Sequence, residues 1–362
     1  MLQKKQITLI VFSVILLLFI AGCEGGDEVA RGAPTTPFLG GSQGLEIKFL
    51  EGSPPDEITD VDFPFQAIVS LKNIGEYRIT SIEQVRVNLL GILASDFGAL
   101  VITNKQIENE IYIPTPRIKD SEGNIIEAVE TFVTIPAETD GFLQLRSDAI
   151  KGNTKFTFRA DVCYQYGTNA IGSICVLQNM IDIADDSICE PKGPRPIFSS
   201  GSPVKVAAFR QSVVGKRKIQ FSFDIAHSGS GNVFENEPIT FTSPIAGCPK
   251  DPGNRRTKEN RLDVRVTTGI PDTLMCVGAD SSTTTGIIDL NDVRLTDGKR
   301  TITCTQNVPG SDFEKNIDIN IKFNYLDSID KVVLAKHLSG CVEIDGFCGL
   351  GETIDNCPAD CS

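Results

Sequence analysis

The sequence predicts an all-β protein that contains two antiparallel β-sandwiches in tandem. Apolar and polar residues alternate through many short segments, most regularly in residues 65–71 and 317–325. A period of two is typical of a strand that buries one face in a sheet. Proline, glycine, asparagine and aspartate separate these segments at regular intervals, as they do between the strands of a sandwich.

The predicted strands fall into two groups that begin in a similar way. The first group comprises residues 45–49, 65–72, 85–89, 111–113, 131–135 and 155–162. The second group comprises residues 204–209, 219–225, 262–266, 301–304 and 317–325. Each group opens with a short strand, a connection and a longer alternating strand, which indicates a duplicated domain.

Changes in composition give the predicted domain boundaries. Residues 23–43 are rich in glycine, proline, threonine and serine, so we expect a flexible tether there. The two sandwiches are predicted at residues 44–180 and 203–338. Between them, residues 181–202 combine acidic residues with prolines that neither a helix nor a central strand accepts, which indicates a linker.

The first 22 residues have the layout of a secretory signal. Lys4 and Lys5 precede a uniformly apolar run, and small residues follow it. The run is shorter than the roughly 20 apolar residues of a spanning helix. Its end, Ile20-Ala-Gly-Cys23, resembles the lipobox of prokaryotic lipoproteins, and this resemblance implies a lipid on Cys23.

An uncleaved single transmembrane anchor and plain secretion remain alternatives to lipidation. All three place the rest of the chain at the extracytoplasmic face of the cell membrane or beyond it. The formal net charge of −13 gives the chain no reason to bind nucleic acid.

The cysteines indicate disulfides. Apart from Cys23 there are ten, an even number that favours five bridges in an exported chain. The candidates are Cys163, Cys175, Cys189, Cys248, Cys276, Cys304, Cys341, Cys348, Cys357 and Cys361. The preferred pairs are Cys163 with Cys175 across a hairpin at residues 167–172, Cys276 with Cys304, and Cys189 with Cys248, although a sequence does not fix connectivity. A metal-binding role for Cys163 and Cys175 is disfavoured because no histidine lies nearby.

Residues 339–362 resemble a small cysteine-rich module found at the ends of prokaryotic extracellular proteins. A segment this short needs cross-links or a metal to hold its shape. Two disulfides are the preferred interpretation, and a four-thiolate zinc site is disfavoured because no close Cys-x-x-Cys pair is present. Calcium is a third possibility, with oxygen ligands from Asp345, Glu352, Asp355 and Asp360.

A second resemblance concerns the two sandwiches. Pro54-Pro-Asp-Glu-Ile, the segment from Pro64 to Gly75 and the segment from Lys218 to Gly231 resemble adhesion-related immunoglobulin-like domains of prokaryotic surface proteins. The resemblance implies immunoglobulin-like sandwiches and a non-catalytic role as a spacer or docking module.

The inventory of reactive residues argues against catalysis. The chain has two histidines and lacks a Gly-x-Ser-x-Gly elbow, a phosphate loop and a dinucleotide fingerprint. His227 and Ser228 are neighbours on a predicted strand, where adjacent side chains point to opposite faces. We therefore expect no catalytic residue, no cofactor and no metal site beyond the calcium candidates.

The expected partners are the membrane, through the N-terminal lipid or helix, and an unidentified extracellular protein or glycan. The alternative function is an envelope hydrolase that acts on glycans with paired carboxylates. A basic cluster of Arg255, Arg256 and Lys258, with Arg261 nearby, is predicted to lie on a loop, as a solvated turn or as a site for anionic polymers.

Overall fold

The computed structural model describes residues 36–61, 64–98, 114–137, 141–239 and 247–338, and residues 346, 348, 353, 354, 357, 358, 360 and 361. The predicted leader, Cys23 and the predicted strand at residues 111–113 lie outside the described residues. The chain divides after Pro37, and the described strands all belong to the compact unit that begins at Phe38.

The described residues confirm the all-β prediction. The strands are β1 (Leu45–Phe49), β2 (Glu57–Thr59), β3 (Ala67–Asn73), β4 (Val85–Leu90), β5 (Ile118–Lys119), β6 (Ile125–Ile126), β7 (Glu130–Ile135), β8 (Thr154–Val176), β9 (Gly193–Pro194), β10 (Ile197–Ser199), β11 (Val204–Gly215), β12 (Lys218–His227), β13 (Asn232–Phe234), β14 (Arg261–Thr267), β15 (Leu274–Cys276), β16 (Ile287–Arg294), β17 (Lys299–Asn307) and β18 (Phe313–Lys336). Two short 3-10 turns span Ile82–Gln84 and Ala94–Phe97, and one α-helix, α1, spans Pro252–Lys258.

Two very long strands, β8 and β18, form the axis of the unit. They are antiparallel and paired without a break, from Phe313 opposite Val176 to Ala335 opposite Thr154. At about 3.4 Å per residue the pair is about 75 Å long. On β8, alternate residues such as Phe158, Val162 and Tyr166 are buried, so one face of this strand lies against the core.

Three main sheets are arranged on this axis. The largest has eight strands: β10-β8-β18-β14-β16 in order, with β4 on β8 and both β2 and β13 on β18. A three-stranded sheet, β1-β3-β7, and a five-stranded sheet, β15-β17-β12-β11-β9, are the other two, and β5 and β6 form a small hairpin. One hydrophobic core includes buried residues from all three main sheets.

The smaller sheets cover different halves of the long pair, and we call these halves the first and second lobes. In the first lobe, the β1 residue Leu45 donates its backbone N–H to the Tyr164 hydroxyl of β8 at 3.2 Å. In the second lobe, the β11 residue Gln211 accepts from the Cys175 backbone N–H of β8 at 2.9 Å. The result is two β-sandwiches that share their two longest strands.

The sequence predicts two independent sandwiches with a boundary between them, whereas the two lobes of the structure share strands. The β8 residues 167–176, assigned to the first sandwich, belong to the second lobe, and the last half of β18 completes the first lobe. The physical reason is that both strands continue beyond the segments in which their sequence alternates, and a local pattern does not say which strand is the partner. The predicted linker at 181–202 is also partly structured, because β9 and β10 are paired with β11 and β8.

The described end of the predicted tether is attached to the folded unit. One carboxylate, that of Glu76, accepts the backbone N–H of Leu39 at 2.8 Å and of Gly40 at 2.9 Å. It also accepts the Gly201 N–H at 2.6 Å. Residues 39 and 40, at the end of the predicted tether, are therefore attached to the folded unit.

Candidate binding cleft

A cleft of about 480 Å³ lies on the outer face of the eight-stranded sheet, over the second lobe. It is lined by Tyr77, Asn169, Asn236, Asp263, Val264, Arg265, Asp289, Asn291, Asn320, Ile321 and Lys322. Val264 and Ile321 are buried in the core. Because side chains alternate along a strand, their neighbours on β14 and β18 project from the opposite face, into the cleft.

One row of polar side chains crosses four strands at the floor of the cleft. In register, Asn169 of β8 is opposite Asn320 of β18, which is opposite Arg265 of β14, which is opposite Asp289 of β16. The Asn320 amide donates to Asn169 Oδ1 at 2.9 Å. Asn320 Oδ1 and Asn169 Nδ2 have no protein partner in the part of the chain that the structure describes, so both are available to a ligand.

The charged groups of the cleft are balanced. Arg265 binds Asp289 through two hydrogen bonds, Nε to Oδ1 at 2.6 Å and Nη2 to Oδ2 at 3.0 Å. The hydrogen bonds and charge of Asp289 raise the pKa of Arg265. Lys322 is exposed and forms no ion pair with any described residue. With Asp263 as the second carboxylate, two negative charges face two positive ones.

Tyr77 forms one wall, and a glycine makes its position possible. The ring packs 5.4 Å from that of Tyr166, centroid to centroid, where the chain crosses β8 at Gly167. A Cβ on Gly167 would collide with the Tyr77 ring and would lie 2.6 Å from the Ile321 carbonyl oxygen. Burial raises the pKa of the Tyr77 phenol, so the group is a neutral donor and acceptor at neutral pH.

The opposite wall is the segment that follows β13. Asn236 donates to Asp263 Oδ2 at 3.1 Å, and the Asp292 backbone N–H donates to Asp263 Oδ1 at 3.1 Å. The Glu237 carbonyl accepts from the side chains of Gln165 and Asn324, each at 2.8 Å. These bonds fix the wall on the outer face of the sheet.

A small hydrophobic cluster on the same face supports that wall. It consists of Cys163, Phe234, Ile239, Cys248 and Leu326. The Cys163–Cys248 disulfide lies within it, with Cα atoms 6.0 Å apart. The cleft is therefore positioned by strand register below and by a cross-linked cluster at its side.

Another depression, of about 720 Å³, lies in the first lobe. Its lining includes Asp60, Phe142, Gln144 and an exposed ion pair between Arg146 and Asp148. Several of its borders adjoin residues outside the described ranges, such as 62–63 and 99–113. The cleft of the second lobe is therefore the better defined candidate.

The disulfides correct two of the three preferred pairs. The described bridges are Cys163–Cys248, Cys175–Cys189, Cys276–Cys304 and Cys348–Cys361. Only the Cys276–Cys304 pair matches the preferred connectivity. The predicted Cys163–Cys175 bridge is impossible because no hairpin forms at residues 167–172. Both cysteines lie on β8, about 40 Å apart along the strand, whereas a bridge needs Cα atoms within about 7 Å.

The calcium candidates Asp345, Glu352 and Asp355 lie outside the described residues, as does the disulfide candidate Cys341. Asp360 accepts the Gly346 N–H at 3.0 Å. Among the described residues, no group of three or more histidine, cysteine, aspartate and glutamate side chains could hold a metal ion.

The two histidines lie apart from the cleft. His227 Nε2 is 3.2 Å from the Tyr325 hydroxyl, and burial lowers the pKa of this histidine. Its neighbour Ser228 donates to the Pro203 carbonyl at 3.2 Å. His337 Nδ1 is 2.7 Å from Asp60 Oδ2, at the end of β18.

The predicted basic loop is instead a short helix with most of its charges paired. Asp251 caps α1 by accepting the Asn254 N–H at 2.9 Å, and Pro252 occupies the first turn. Arg255 binds Glu259, Lys258 binds Glu237 and Arg261 binds Asp292. These ion pairs reduce the positive charge available to an anionic polymer.

Sequence reasoning did not find the cleft, although two signals were present. A glycine in the middle of a strand often marks the close approach of another chain segment, and Gly167 does so here. The outward positions of β14 and β18 also carry asparagine and paired charges. What the sequence could not show is that these positions are adjacent, because register between distant strands is a tertiary property.

Comparison with known proteins gives no match, neither to a protein-family profile nor to a curated protein. In the described part of the chain, no helix has both the length and the apolar character needed to cross a membrane.

Proposed function

We propose that this chain is a membrane-anchored surface lipoprotein whose folded unit is a non-catalytic binding module of the envelope. The observation that carries the proposal is the cleft, which presents amide and phenol groups with unused hydrogen-bonding capacity. It has the size of a small-molecule site, for which the usual range is about 300–1,000 Å³.

The carboxylates of the cleft support binding rather than hydrolysis. A glycan hydrolase needs one carboxyl as a proton donor and a second as a base or nucleophile. Asp289 is engaged in two hydrogen bonds with Arg265, and Asp263 accepts one bond at each oxygen. Both groups thus serve to fix the walls of the cleft.

The extracytoplasmic location is supported by the cysteines and by the N-terminal sequence. Four disulfides in the described residues are typical of a protein that folds in an oxidising space. The apolar run that ends at Cys23 has the layout of an export signal followed by a lipidation site. Attachment by several acyl chains would hold the protein stably at a membrane.

An immunoglobulin-like identity for the two lobes is part of the same proposal. It is supported by two antiparallel β-sandwiches and by the resemblance of residues 64–75 and 218–231 to adhesion-related domains. Their shared strands β8 and β18 would make the pair a single rigid module.

The test is an intact mass of the protein extracted from its native membrane, with and without reductant. We expect a diacylglycerol on Cys23, no residues before it, and two fewer hydrogens for each bridge in the unreduced form. Cys23→Ala should release the protein from the membrane fraction. A chain that retains Met1, carries no lipid and has free thiols would contradict the proposal.

A further inference from the structure

We propose that the cleft of the second lobe binds a short neutral oligosaccharide. This inference rests on the proposed role as a binding module and assigns its ligand class.

The unused groups of the cleft match the chemistry of sugar hydroxyls. Each hydroxyl both donates and accepts, so a site for it needs donors and acceptors close together. Asn320 Oδ1 is an acceptor and Asn169 Nδ2 a donor, on residues that are directly opposite in register. The amide of Asn291 and the hydroxyl of Tyr77 add groups of both kinds, and neither has a hydrogen-bond partner among the described residues.

An aromatic ring beside these amides provides the apolar part of such a site. Tyr77 borders the cleft and is held against β8 by its packing on Gly167 and Tyr166. A tyrosine offers an apolar body for the carbon-bound hydrogens of a sugar ring, together with a polar tip. Because the ring is already fixed, little conformational entropy is lost when a ligand packs against it.

The charge balance argues against ionic ligands. Arg265 and Asp289 neutralise each other in a two-bond pair, which leaves Lys322 and the hydrogen-bonded Asp263 as opposing single charges. A phosphate or a polyanion would face two carboxylates, and a metal ion would face an arginine and a lysine.

The backbone of the floor argues against an extended peptide. Peptides that add to a sheet use unpaired backbone N–H and C=O groups. At the cleft, β18 is paired on both sides, with β8 and β14. On the side of β8 away from β18, the Asn169 backbone N–H donates to the Ser200 hydroxyl, and the Ser200 backbone N–H donates to the Asn169 carbonyl. Recognition over β8, β18 and β14 therefore depends on side chains, which suits a ligand that displays hydroxyls.

The experiment is a binding screen with the detergent-solubilised full chain against an array of short neutral oligomers of glucose, mannose, galactose and N-acetylglucosamine. Heparin and polygalacturonate serve as charged probes. We expect binding to at least one neutral oligomer, with an affinity that does not depend on ionic strength. Preference for the charged probes with a strong salt dependence would overturn the assignment of a neutral ligand.

Variants locate the site. Asn320→Ala and Tyr77→Ala should each weaken binding by about tenfold, the loss of one or two hydrogen bonds or of a stacking contact. Asn316→Ala is the matched control, because Asn316 is exposed on the same strand and does not line the cleft. Tyr77→Phe keeps the packing on Gly167 and tests the hydroxyl alone, and the melting temperature of each variant shows that it is folded.

The outcomes separate this inference from the proposed function. If the chain binds intact envelope and Asn320→Ala leaves that binding unchanged, the binding module stands and the cleft assignment is wrong. An equal loss of binding affinity in Asn316→Ala and Asn320→Ala would also overturn the assignment of the ligand to the cleft. If the chain binds neither envelope nor any probe, both proposals fail.

Discussion

Removal of the Cys163–Cys248 disulfide should destabilise the protein more than removal of the Cys175–Cys189 or the Cys276–Cys304 disulfide. The perturbation is a double substitution to alanine, made separately for Cys163–Cys248, Cys276–Cys304 and Cys175–Cys189. In the chain-entropy account, a bridge stabilises by restricting the unfolded chain, and the effect grows with the length of the loop that it closes.

The loop lengths follow from the connectivity. Cys163 and Cys248 are 85 residues apart, but Cys175–Cys189 is nested between them and removes 14 residues, which leaves an effective loop of about 71. Cys276 and Cys304 close a loop of 28 residues. The expected losses are about 4.4 kcal/mol for Cys163–Cys248, about 3.6 for Cys276–Cys304 and about 3.0 for Cys175–Cys189.

The cleanest comparison is between the first two pairs. All four of their cysteines are buried, so the cost of removing the sulfur atoms is similar and the difference reports loop length. The free energy of unfolding would be measured by urea denaturation, with circular dichroism and fluorescence as probes. Because β8 and β18 run through both lobes, we expect one cooperative transition in each variant.

A reversed order of the two buried pairs would refute the loop-length reasoning. It would mean that native contacts around the bridges outweigh the restriction of the unfolded chain. Two separate transitions would instead contradict the sharing of strands between the lobes.

Other predictions concern single side chains. Asp161 is almost fully buried and binds Arg159 and Lys250, each at 2.8 Å; burial alone would raise its pKa, but these two partners lower it overall. The Asp161 interactions should stabilise the fold above about pH 4, the usual aspartate pKa, and this contribution should be lost as pH falls through the lower folded-state value. Asp161→Asn should cost about 1–3 kcal/mol in urea denaturation at pH 7, moderated by the exposure of both partners, and should flatten the acid limb of the stability profile. Glu76→Gln replaces one shared acceptor oxygen with a donor, so amide hydrogen exchange at Leu39 and Gly40 should rise by about tenfold, whereas Glu83→Gln, on an exposed turn, should leave it unchanged.

Much of the strand content could be predicted from local pattern. The alternation of residues 317–325 identifies β18, and that of residues 219–225 identifies β12, because a half-buried strand requires it. The pattern could not show that β18 continues to Lys336 or that it pairs with β8 along its whole length. Pairing between strands that are distant in sequence depends on the packed core, which no local signal encodes.

The turn prediction at residues 167–172 failed for a related reason. Glycine, threonine and asparagine favour a hairpin turn, yet here they continue β8 through the junction of the two lobes. Gly167 makes room for Tyr77, and Asn169 contributes to the cleft. Two of the residues interpreted as a turn thus contribute to the candidate site, and the wrong cysteine pairing followed from the same error.

The long β8–β18 pair also sets the order in which the molecule can be completed. Synthesis proceeds from the N-terminus, and β18 begins at Phe313, after all the other described strands have been made. Neither lobe has its full set of strands until this last segment emerges. A nascent chain that stops before β18 leaves one backbone edge of β8 without its hydrogen-bonding partner along the whole strand. The first lobe therefore cannot complete its folding until the end of the chain has been synthesised. Between the synthesis of β8 and that of β18, the unfinished protein depends on protection from aggregation.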